Sequence, residues 1–362
     1  MKILVVGEFI SEIYEAAFLE SFKEMGHETY KFSFSDYFNF TSSFSFNWKN
    51  FSSYPAKFFE AIKRAQNKYH VGPLVNKINR DFIKSVKNIR PDFVFIEQGI
   101  FFTSKTIRTA KSKSPETKIF GYCQDNPFSQ TAPKYLWRKY LESCPAYDHI
   151  FSFHVFNLND YKMAYGIDSE LLRGYYLKKR NYPIENPDEK YKCDVLFIAH
   201  YEDDGRDEAL IRLVRGGYSF KLYGTEWHSS KYYEEFKKLM GGDIKPLRGD
   251  DYNIALNSCK IAICFFSKKL NGNEYTTRTF EIPATKTFML SEYTDDAASL
   301  FEADKEAVYF KNTDEFINKI DYYLAHDDER KKIAQNGYER VMRDGHEVMD
   351  RAKQVIKAYE KM

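Results

Sequence analysis

Apolar runs and amphipathic segments alternate along the chain from its first residues. Lys2–Gly7 is a continuous apolar run typical of a buried parallel strand, and residues 12–25 carry apolar side chains at helical spacing. The same alternation predicts further strands at residues 28–34, 91–97, 117–122 and 148–153, and helices at residues 56–70, 74–89 and 103–113. Strands separated by helices pair in parallel through right-handed crossovers. The first half of the chain is therefore predicted to be a doubly wound α/β domain.

A second cycle of the same kind follows a break. Residues 177–190 contain Pro183 and Pro187 and no apolar period, which is typical of an interdomain linker. Beyond the linker the pattern predicts strands at residues 193–199, 219–223, 260–266, 288–291 and 307–310. It predicts helices at residues 207–215, 231–240, 251–258, 277–285, 313–325 and 328–344. We expect a first Rossmann-like domain at residues 1–176, the linker, a second such domain at residues 191–344, and a C-terminal helix at residues 345–362.

Charge and composition exclude several classes of protein. Lys and Arg total 54 against 52 for Asp and Glu, so the net charge is +2 and nucleic acid is not an expected partner. No run of about eighteen apolar residues occurs, and the N-terminus, with acidic Glu8 and Glu12, is unlike a signal peptide; both features predict a cytoplasmic protein. The five cysteines form no C-x-x-C pair and no Cys/His cluster, so no metal site is expected.

Fingerprints of several nucleotide-dependent and hydrolytic enzymes are absent. The turn after the first strand reads Gly7-Glu-Phe-Ile-Ser-Glu, with acidic residues where a G-x-G-x-x-G turn would hold a pyrophosphate. A nicotinamide or flavin cofactor in the first domain is therefore not expected. The sequence also has no G-x-x-x-x-G-K-[ST] loop and no G-x-S-x-G elbow, which argues against a P-loop kinase or a serine hydrolase.

The most informative stretch lies after the apolar strand at residues 260–266. Thr276 and Thr277 are predicted to cap a helix whose first turn contains Arg278, and free amide groups there suit a diphosphate. Arg278 would neutralise phosphate charge, and Glu281, three residues on, would accept ribose or sugar hydroxyls. The alternative is an ordinary Arg/Glu ion pair within the helix.

Residues 252–351 resemble the donor domain of group 1 glycosyltransferases, in particular the CgeB-like, spore-maturation branch. The resemblance rests on co-linear blocks: Thr277-Arg278-Thr-Phe280-Glu281-Ile-Pro-Ala284, Phe288-Met-Leu-Ser-Glu292, Lys305-Glu-Ala-Val-Tyr-Phe310 and Ile333-Ala-Gln-Asn-Gly337-Tyr. It implies a GT-B fold, in which two facing Rossmann-like domains bind the acceptor and the nucleotide sugar, and a C-terminal helix returns to the first domain. It also implies that neither a metal nor a cofactor is needed.

The resemblance assigns roles to individual residues of the second domain. Arg278 would contact the diphosphate and Glu281 the donor's ribose or sugar, as in retaining enzymes. The remaining donor-binding assignments are His200 and Arg206 near the phosphates, Gly224 where the nucleotide approaches the backbone, and Leu247 with Arg248 at the base. One departure is Lys286, which stands where the family usually has Gly at the helix end.

Two residues of the first domain are candidates for the catalytic base. Asp125 ends a strand in Gln124-Asp-Asn-Pro127, where its carboxylate would deprotonate an acceptor hydroxyl or would instead form an Asx-turn before Pro127. His154 also ends a strand, and its alternative role is structural.

The resemblance and the residues together predict a glycosyltransferase. It would move a sugar from a nucleotide-sugar donor, with UDP as the first expectation, to a hydroxyl of a glycan, a lipid-linked sugar or a protein. A nucleotide-sugar epimerase on the same fold and a non-catalytic sugar-binding module are the alternatives. The chain contains 32 Phe and 28 Tyr, and ten aromatic residues crowd residues 37–59. This stretch is either an acceptor or peripheral membrane contact at the inner membrane face, or simple local packing.

Overall fold

The computed structural model describes residues 1–38, 54–269 and 274–362. The chain folds into two compact units, one formed by Met1–Arg173 with Val348–Met362 and the other by Gly174–Glu347. Within the described residues each unit contains one sheet, and every pair of neighbouring strands in both sheets is parallel. The two α/β units are the doubly wound architecture that the alternating pattern predicts.

The first unit is built on a six-stranded sheet in the order β2-β1-β3-β4-β5-β6. Its elements are β1 (Lys2–Gly7), α1 (Glu15–Glu24), β2 (Glu28–Ser33), α2 (Ser35–Phe38), α3 (Tyr54–Tyr69), α4 (Pro73–Ile89), β3 (Phe93–Glu97), α5 (Ser104–Lys113), β4 (Lys118–Cys123), α6 (Lys134–Ser143), β5 (His149–Ser152), α7 (Val155–Tyr165) and β6 (Glu170–Leu171).

Alternate residues of the first sheet build two different cores. Val94 and Ile96 on β3 belong to an aliphatic-rich core with Phe82 of α4. Phe93 and Phe95, on the opposite face, join an aromatic layer. Ring centroids in that layer lie 4.8–6.3 Å apart in the pairs Phe18–Phe95, Phe22–Phe93, Phe22–Phe95, Phe93–Phe120 and Phe95–Tyr122. Much of the aromatic excess of the sequence is therefore core packing.

The last helix, α15 (Val348–Glu360), belongs to the first unit although it follows the second in sequence. Its Tyr359 ring lies 5.3 Å from that of Phe93, in the aromatic layer. Gln354 donates hydrogen bonds to the Leu171 carbonyl (2.8 Å) and to Glu170 (2.7 Å) at β6. The predicted return of the C-terminal helix to the first domain is confirmed.

The second unit is built on a five-stranded sheet in the order β11-β10-β9-β7-β8. Its elements are β7 (Cys193–Ile198), α8 (Arg206–Arg215), β8 (Phe220–Tyr223), α9 (Tyr233–Met240), α10 (Asp250–Asn257), β9 (Cys259–Cys264), α11 (Arg278–Ala284), β10 (Phe288–Glu292), α12 (Asp295–Leu300), β11 (Val308–Phe310), α13 (Thr313–Ala325) and α14 (Asp327–Arg343).

The predicted contact stretch at residues 37–59 is only partly described. Phe38 is buried, whereas Phe58 and Phe59 on α3 are exposed. Residues 39–53 lie outside the described part of the chain. Within the described ranges, no helix is both long enough and apolar enough to span a membrane.

Candidate functional site

The strand order of the second sheet defines where a ligand is expected. Strand β7 lies between β8 and β9. The chain adds β8 on one side of β7 and then β9, β10 and β11 on the other side, so the direction of winding reverses at the gap between β7 and β9. In open parallel sheets ligands bind outside the carboxyl ends of the strands at such a switch point. Arg278, His200 and Ser267 all lie at this edge, from three different segments.

Arg278 ties the ends of the two central strands together. Its guanidinium donates to the carbonyls of Ile198 (3.3 Å) and Phe265 (3.0 Å), and it lies over the Phe197 ring. The side chain is half-buried and its positive charge is fixed at the carboxyl edge of the sheet. An intrahelical ion pair with Glu281, the alternative role for this residue, is therefore not what holds it.

Glu281 is directed elsewhere. Its carboxylate accepts a hydrogen bond of 2.6 Å from the hydroxyl of Tyr252 on α10, and both side chains are buried. The Arg180 guanidinium in turn lies 4.8 Å from the centre of the Tyr252 ring. In this arrangement Glu281 joins α11 to α10 and to the segment that precedes the second sheet. A contact with a ribose or sugar would have to open this buried pair.

The predicted capping of α11 is wrong. Thr277 occupies the N-cap position but has helical backbone angles, and its hydroxyl makes no capping bond. The Thr279 side chain instead accepts from the Thr276 amide at 3.2 Å. The start of the helix is thus held by the side chain of Thr279, a residue of its first turn, and not by a cap residue before the helix.

Glu202 is a site residue that the sequence pattern did not reveal. It lies in the loop after β7, and its carboxylate accepts hydrogen bonds from His200 Nε2 (2.6 Å) and from Ser267 Oγ (2.7 Å). Burial alone would raise the pKa of Glu202, but those two hydrogen bonds and the charges of Arg206 and Lys269 outweigh it and lower the pKa to about 2. The spacing His200-x-Glu202 was the available signal.

Arg206 is almost wholly buried and serves this same loop. Its guanidinium binds both oxygens of Asp204 (2.9 and 2.6 Å) and donates to the carbonyls of His200 (3.0 Å) and Phe266 (3.4 Å). The expected contact with phosphates would therefore need a rearrangement of the loop. His200, half of whose side chain is exposed (52%), is the more accessible of the two.

Close packing requires glycine at position 224, independently of any ligand. A Cβ at this position would lie 1.7 Å from the Ala199 carbonyl oxygen, and its φ of +152° strains any other residue. Trp227 donates to that same oxygen at 2.9 Å. Leu247 and Arg248, the predicted base contacts, lie in the loop between α9 and α10, which touches the end of β8 through a bond from the Gly224 amide to the Lys245 carbonyl.

At the end of α11, Lys286 stands at the position where the family usually has glycine. It has a φ of +59°, in the left-handed region that favours glycine. The amides of Lys286 and Thr287 donate to the carbonyls of Pro283 (2.8 Å) and Ile282 (3.4 Å), the two bonds of a Schellman motif. The glycine position of the motif is thus filled by a residue with a Cβ.

The first unit has the opposite electrostatic character at its own switch point, between β1 and β3. Glu15 folds back from α1, and its carboxylate accepts from the amides of Glu8 (2.8 Å) and Phe9 (3.4 Å). A Cβ on Gly7 would lie 2.2 Å from the Glu15 carboxylate. The amides that would hold a phosphate after β1 are therefore bound by an internal carboxylate.

Two more carboxyl groups lie at the ends of the next strands. Glu97 is fully buried at the end of β3, where the Gln124 side-chain amide donates to it. Burial, reinforced by the nearby Glu15, Glu8 and Asp125, raises the pKa of Glu97 well above its ordinary range. This edge is therefore unfavourable for an anionic group.

Asp125 follows β4 and is held by a residue in an unusual backbone conformation. Gln98, at a left-handed φ of +47°, donates from its side-chain amide to Asp125 at 2.9 Å. Burial raises the pKa of Asp125, against the lowering effect of the Gln98 hydrogen bond. The Asx-turn before Phe128 is made by Asn126, whose side chain accepts from the Phe128 amide at 3.1 Å. Asp125 is thus not the turn-forming residue.

His154 lies on the neighbouring strand end, at the N-cap of α7. The ring is buried and stacks at 4.8 Å on Phe156. Asn157 of α7 donates to Asn126 at 2.9 Å, so the loops after β4 and β5 are joined. The structure therefore brings Asp125 and His154 to one edge of the first sheet. In the described ranges, no group of three or more His, Cys, Asp or Glu residues is arranged to hold a metal ion.

A comparison with known protein families gives a match in the second half of the chain. Residues 206–357 match the sequence model of the Glycosyl transferase-like family. Among curated proteins, none matches the sequence.

Solved structures share the fold over the whole chain. Sucrose-phosphate synthase from Thermosynechococcus elongatus has a TM-score of 0.66 at 10% identity, covering 100% of this chain and 99% of that one. HepE from Anabaena, in complex with UDP and glucose, has a TM-score of 0.69 at 10% identity and full coverage of both chains. A protein assigned as a UDP-N-acetylglucosamine 2-epimerase from Listeria monocytogenes has a TM-score of 0.56 at 12% identity, covering 100% and 97%.

The two parallel sheets with the returning helix are the GT-B fold. Residues 206–357 are thus similar in sequence to the Glycosyl transferase-like family, and the whole chain has the GT-B fold.

Proposed function

We propose that this protein is a glycosyltransferase, which moves a sugar from a UDP-sugar to a hydroxyl of a glycan, a lipid-linked sugar or a protein. The observation that carries the proposal is the contrast between the two switch points. Basic Arg278 and half-exposed His200 lie at the switch point of the second unit. The carboxyls of Glu15 and Glu97 occupy the switch point of the first unit. An anionic diphosphate is stabilised by the former. At the latter, the amides that would hold a phosphate are already bound by Glu15.

The choice of UDP has support from a protein of the same fold. HepE has been solved in complex with UDP-glucose and with UDP. The family match, the GT-B fold and the cationic edge are all in accord with a nucleotide-sugar donor. The CgeB-like branch is our proposal on the quoted sequence blocks.

The proposed reaction forms one bond and breaks another. The acceptor oxygen bonds to C1 of the donor sugar, on the face from which the diphosphate departs, as the bond from C1 to the diphosphate breaks. The hydroxyl proton passes to Asp125, whose pKa is raised by burial and which is therefore a stronger base than an exposed carboxylate. His154 is proposed to border the acceptor. The departing diphosphate is stabilised by the positive charge of Arg278, and His200 lies at the same edge. No metal ion or cofactor is part of the proposal.

The likeness of Glu281 to a residue of retaining enzymes favours transfer with retention. Proton NMR of the first product measures the coupling constant of its anomeric proton, which reports the anomeric configuration. An anomeric configuration equal to that of the donor is expected, and the opposite configuration would remove the argument from Glu281.

Calorimetric titration with UDP, GDP, dTDP and CMP tests the donor assignment. UDP is expected to bind, and Arg278→Ala is expected to weaken it by about tenfold or more, because a charge-assisted contact contributes roughly 1.5–3 kcal/mol. Arg212→Ala is the matched control, since Arg212 pairs with Asp314 on the exposed face of the unit. Far-ultraviolet circular dichroism verifies that both variants are folded.

The result decides among the alternatives. Binding of none of the four nucleotides would contradict the proposal. Turnover of the donor sugar without an acceptor would indicate the epimerase. Nucleotide binding without transfer to any acceptor would indicate a binding module.

A further inference from the structure

The helices on one face of the first sheet are strongly basic. Helices α4, α5 and α6 all pack on the core to which Val94 and Ile96 belong. Together they contain eleven Lys and Arg residues against two acidic residues, Asp81 and Glu142. Helices α1 and α15, which pack on the aromatic layer of the opposite face, contain four Lys and Arg residues against five acidic ones. The positive charge of this unit is therefore concentrated on one face.

The cations of α4 lie on the side of the helix that faces away from the sheet. The buried side is formed by Val75, Ile78, Phe82 and Val86. Exposed Arg80, Lys84 and Lys87 recur at intervals of three and four residues, about half a helical turn away from that buried side. Spacing of this kind directs all three charges outward together.

The three helices lie side by side, so their charges form one surface. Thr106 of α5 donates a hydrogen bond to the Asn79 side chain of α4, and Ser104 of α5 donates to the Glu142 carbonyl of α6 at 2.5 Å. We call the outward side of α4, α5 and α6 the basic face. Its exposed cations include Arg80, Lys84, Lys87, Lys105, Arg108 and Arg138. In the described part of the chain none of these six forms an ion pair, so their charge is not neutralised by neighbouring carboxylates.

Helix α3 places large apolar side chains beside the basic face. It is joined to α4 by a bond of 2.8 Å from the Leu74 amide to the Gln66 side chain, and to α6 by Tyr69, whose ring lies 4.9 Å from that of Tyr135. Near the other end of α3, Phe58 and Phe59 are 65% and 62% exposed, and Ile62 is 38% exposed. Clusters of exposed large apolar side chains usually mark an interaction site.

We propose that the basic face, with Phe58 and Phe59 beside it, binds the anionic headgroup surface of a lipid bilayer. Exposed Lys and Arg are attracted to anionic headgroups, and aromatic and aliphatic side chains enter the boundary between headgroups and acyl chains. A nucleic acid would also complement the positive charge, but it offers no apolar layer for Ile62 and the two phenylalanines. The interaction goes beyond the proposed function, because it involves neither the donor site nor the transfer reaction.

Cosedimentation with vesicles tests the charge complementarity. The vesicles consist of phosphatidylcholine, either alone or with phosphatidylglycerol as the anionic lipid. We expect binding to the anionic vesicles and not to the neutral ones. Raising the salt from about 0.1 M to about 1 M should weaken binding strongly, because it shortens the Debye length from about 10 Å to about 3 Å. Equal binding to both kinds of vesicle would overturn the proposal.

A fourfold variant assigns the binding to the basic face. It combines Arg80→Gln, Lys84→Gln, Lys87→Gln and Lys105→Gln. One cation near an anionic surface contributes about a fivefold change in affinity, so the four together should weaken vesicle binding by about a hundredfold or more. Far-ultraviolet circular dichroism verifies that the variant is folded.

The matched control removes the same charge from the other face of the same unit. It combines Lys23→Gln, Lys353→Gln, Lys357→Gln and Lys361→Gln, four exposed positions on α1 and α15 or directly after α15. Binding close to that of the wild type is expected. A loss as large as that of the basic-face variant would show that net charge alone decides binding, and would overturn the assignment.

The aromatic pair distinguishes a lipid surface from a nucleic acid. Phe58→Ala combined with Phe59→Ala should weaken vesicle binding by about tenfold or more at low and high salt alike, because the burial of apolar surface is not screened. Tyr322→Ala, at an exposed aromatic residue of the second unit, is the control. Unchanged vesicle binding in the double variant, or tighter binding to DNA and RNA oligonucleotides than to anionic vesicles, would overturn the proposal. A protein that binds vesicles but no nucleotide would contradict the proposed function and leave this inference standing.

Discussion

Replacing Lys286 with glycine should stabilise the second unit. Lys286 is the left-handed residue of the Schellman motif at the end of α11, at a φ of +59°, and its side chain is exposed. A residue with a Cβ in this conformation costs about 1–2 kcal/mol. Glycine removes that strain but adds about 0.5–1 kcal/mol of unfolded-state entropy. The expected net gain is therefore about 0.5–1 kcal/mol.

Differential scanning calorimetry and urea denaturation measure this gain. For a domain of this size a stabilisation of about 1 kcal/mol raises Tm by about 2–4 °C. Lys286→Ala is the control, because alanine removes the long side chain but keeps the strained Cβ. An equal stabilisation by alanine and glycine would refute the reasoning from backbone strain, and a loss of stability in Lys286→Gly would do so more strongly.

Further outcomes follow from three buried positions. Gly224→Ala should destabilise by about 3 kcal/mol or more in urea denaturation, because its Cβ would meet the Ala199 carbonyl, whereas Gly242→Ala, with open space around it, should be nearly neutral. Glu97→Gln should gain stability relative to wild type as pH rises above 4.5, the ordinary value for Glu, because the folded chain resists ionising Glu97 while the unfolded chain does not. Denaturation at pH 4.5 and 8 measures that difference, and a pH-independent difference would contradict it. Tyr252→Phe should cost about 1–3 kcal/mol by leaving the Glu281 carboxyl without its donor, and the loss should be smaller in a Glu281→Gln background.

Strong periodicity made most of the fold predictable. The run Lys2–Gly7 and the helix at α13 (Thr313–Ala325) have the bounds that the pattern predicts. Other predicted elements differ from the observed ones mainly at their ends, where side-chain patterns say little about hydrogen bonding. Parallel pairing followed from the alternation of strands and helices and is confirmed in both sheets.

The missed helices show where the pattern fails. Helix α7 buries Asn157 and Tyr161 and has almost no separation between an apolar and a polar face. The side-chain amide nitrogen of its buried Asn157 donates to Asn126 and Asp160, and the contact with Asn126 forms only in the folded chain. Helix α12 has only six residues, too few for a period to be recognised.

The site was predictable in location more than in detail. The position of Arg278 at the carboxyl edge follows from a strand and a following helix, which the sequence contains. The burial of Arg206 and the pairing of Glu281 with Tyr252 depend on side chains from other segments. Glu202 was missed for the same reason, since its partner Ser267 is 65 residues away in sequence.

A crystal structure of the protein with UDP tests the central claim most directly. The account predicts that the diphosphate lies at the carboxyl ends of β7 and β9, in contact with His200 and Arg278. A diphosphate bound instead at the edge of the first sheet, beside Glu15 and Glu97, would contradict it.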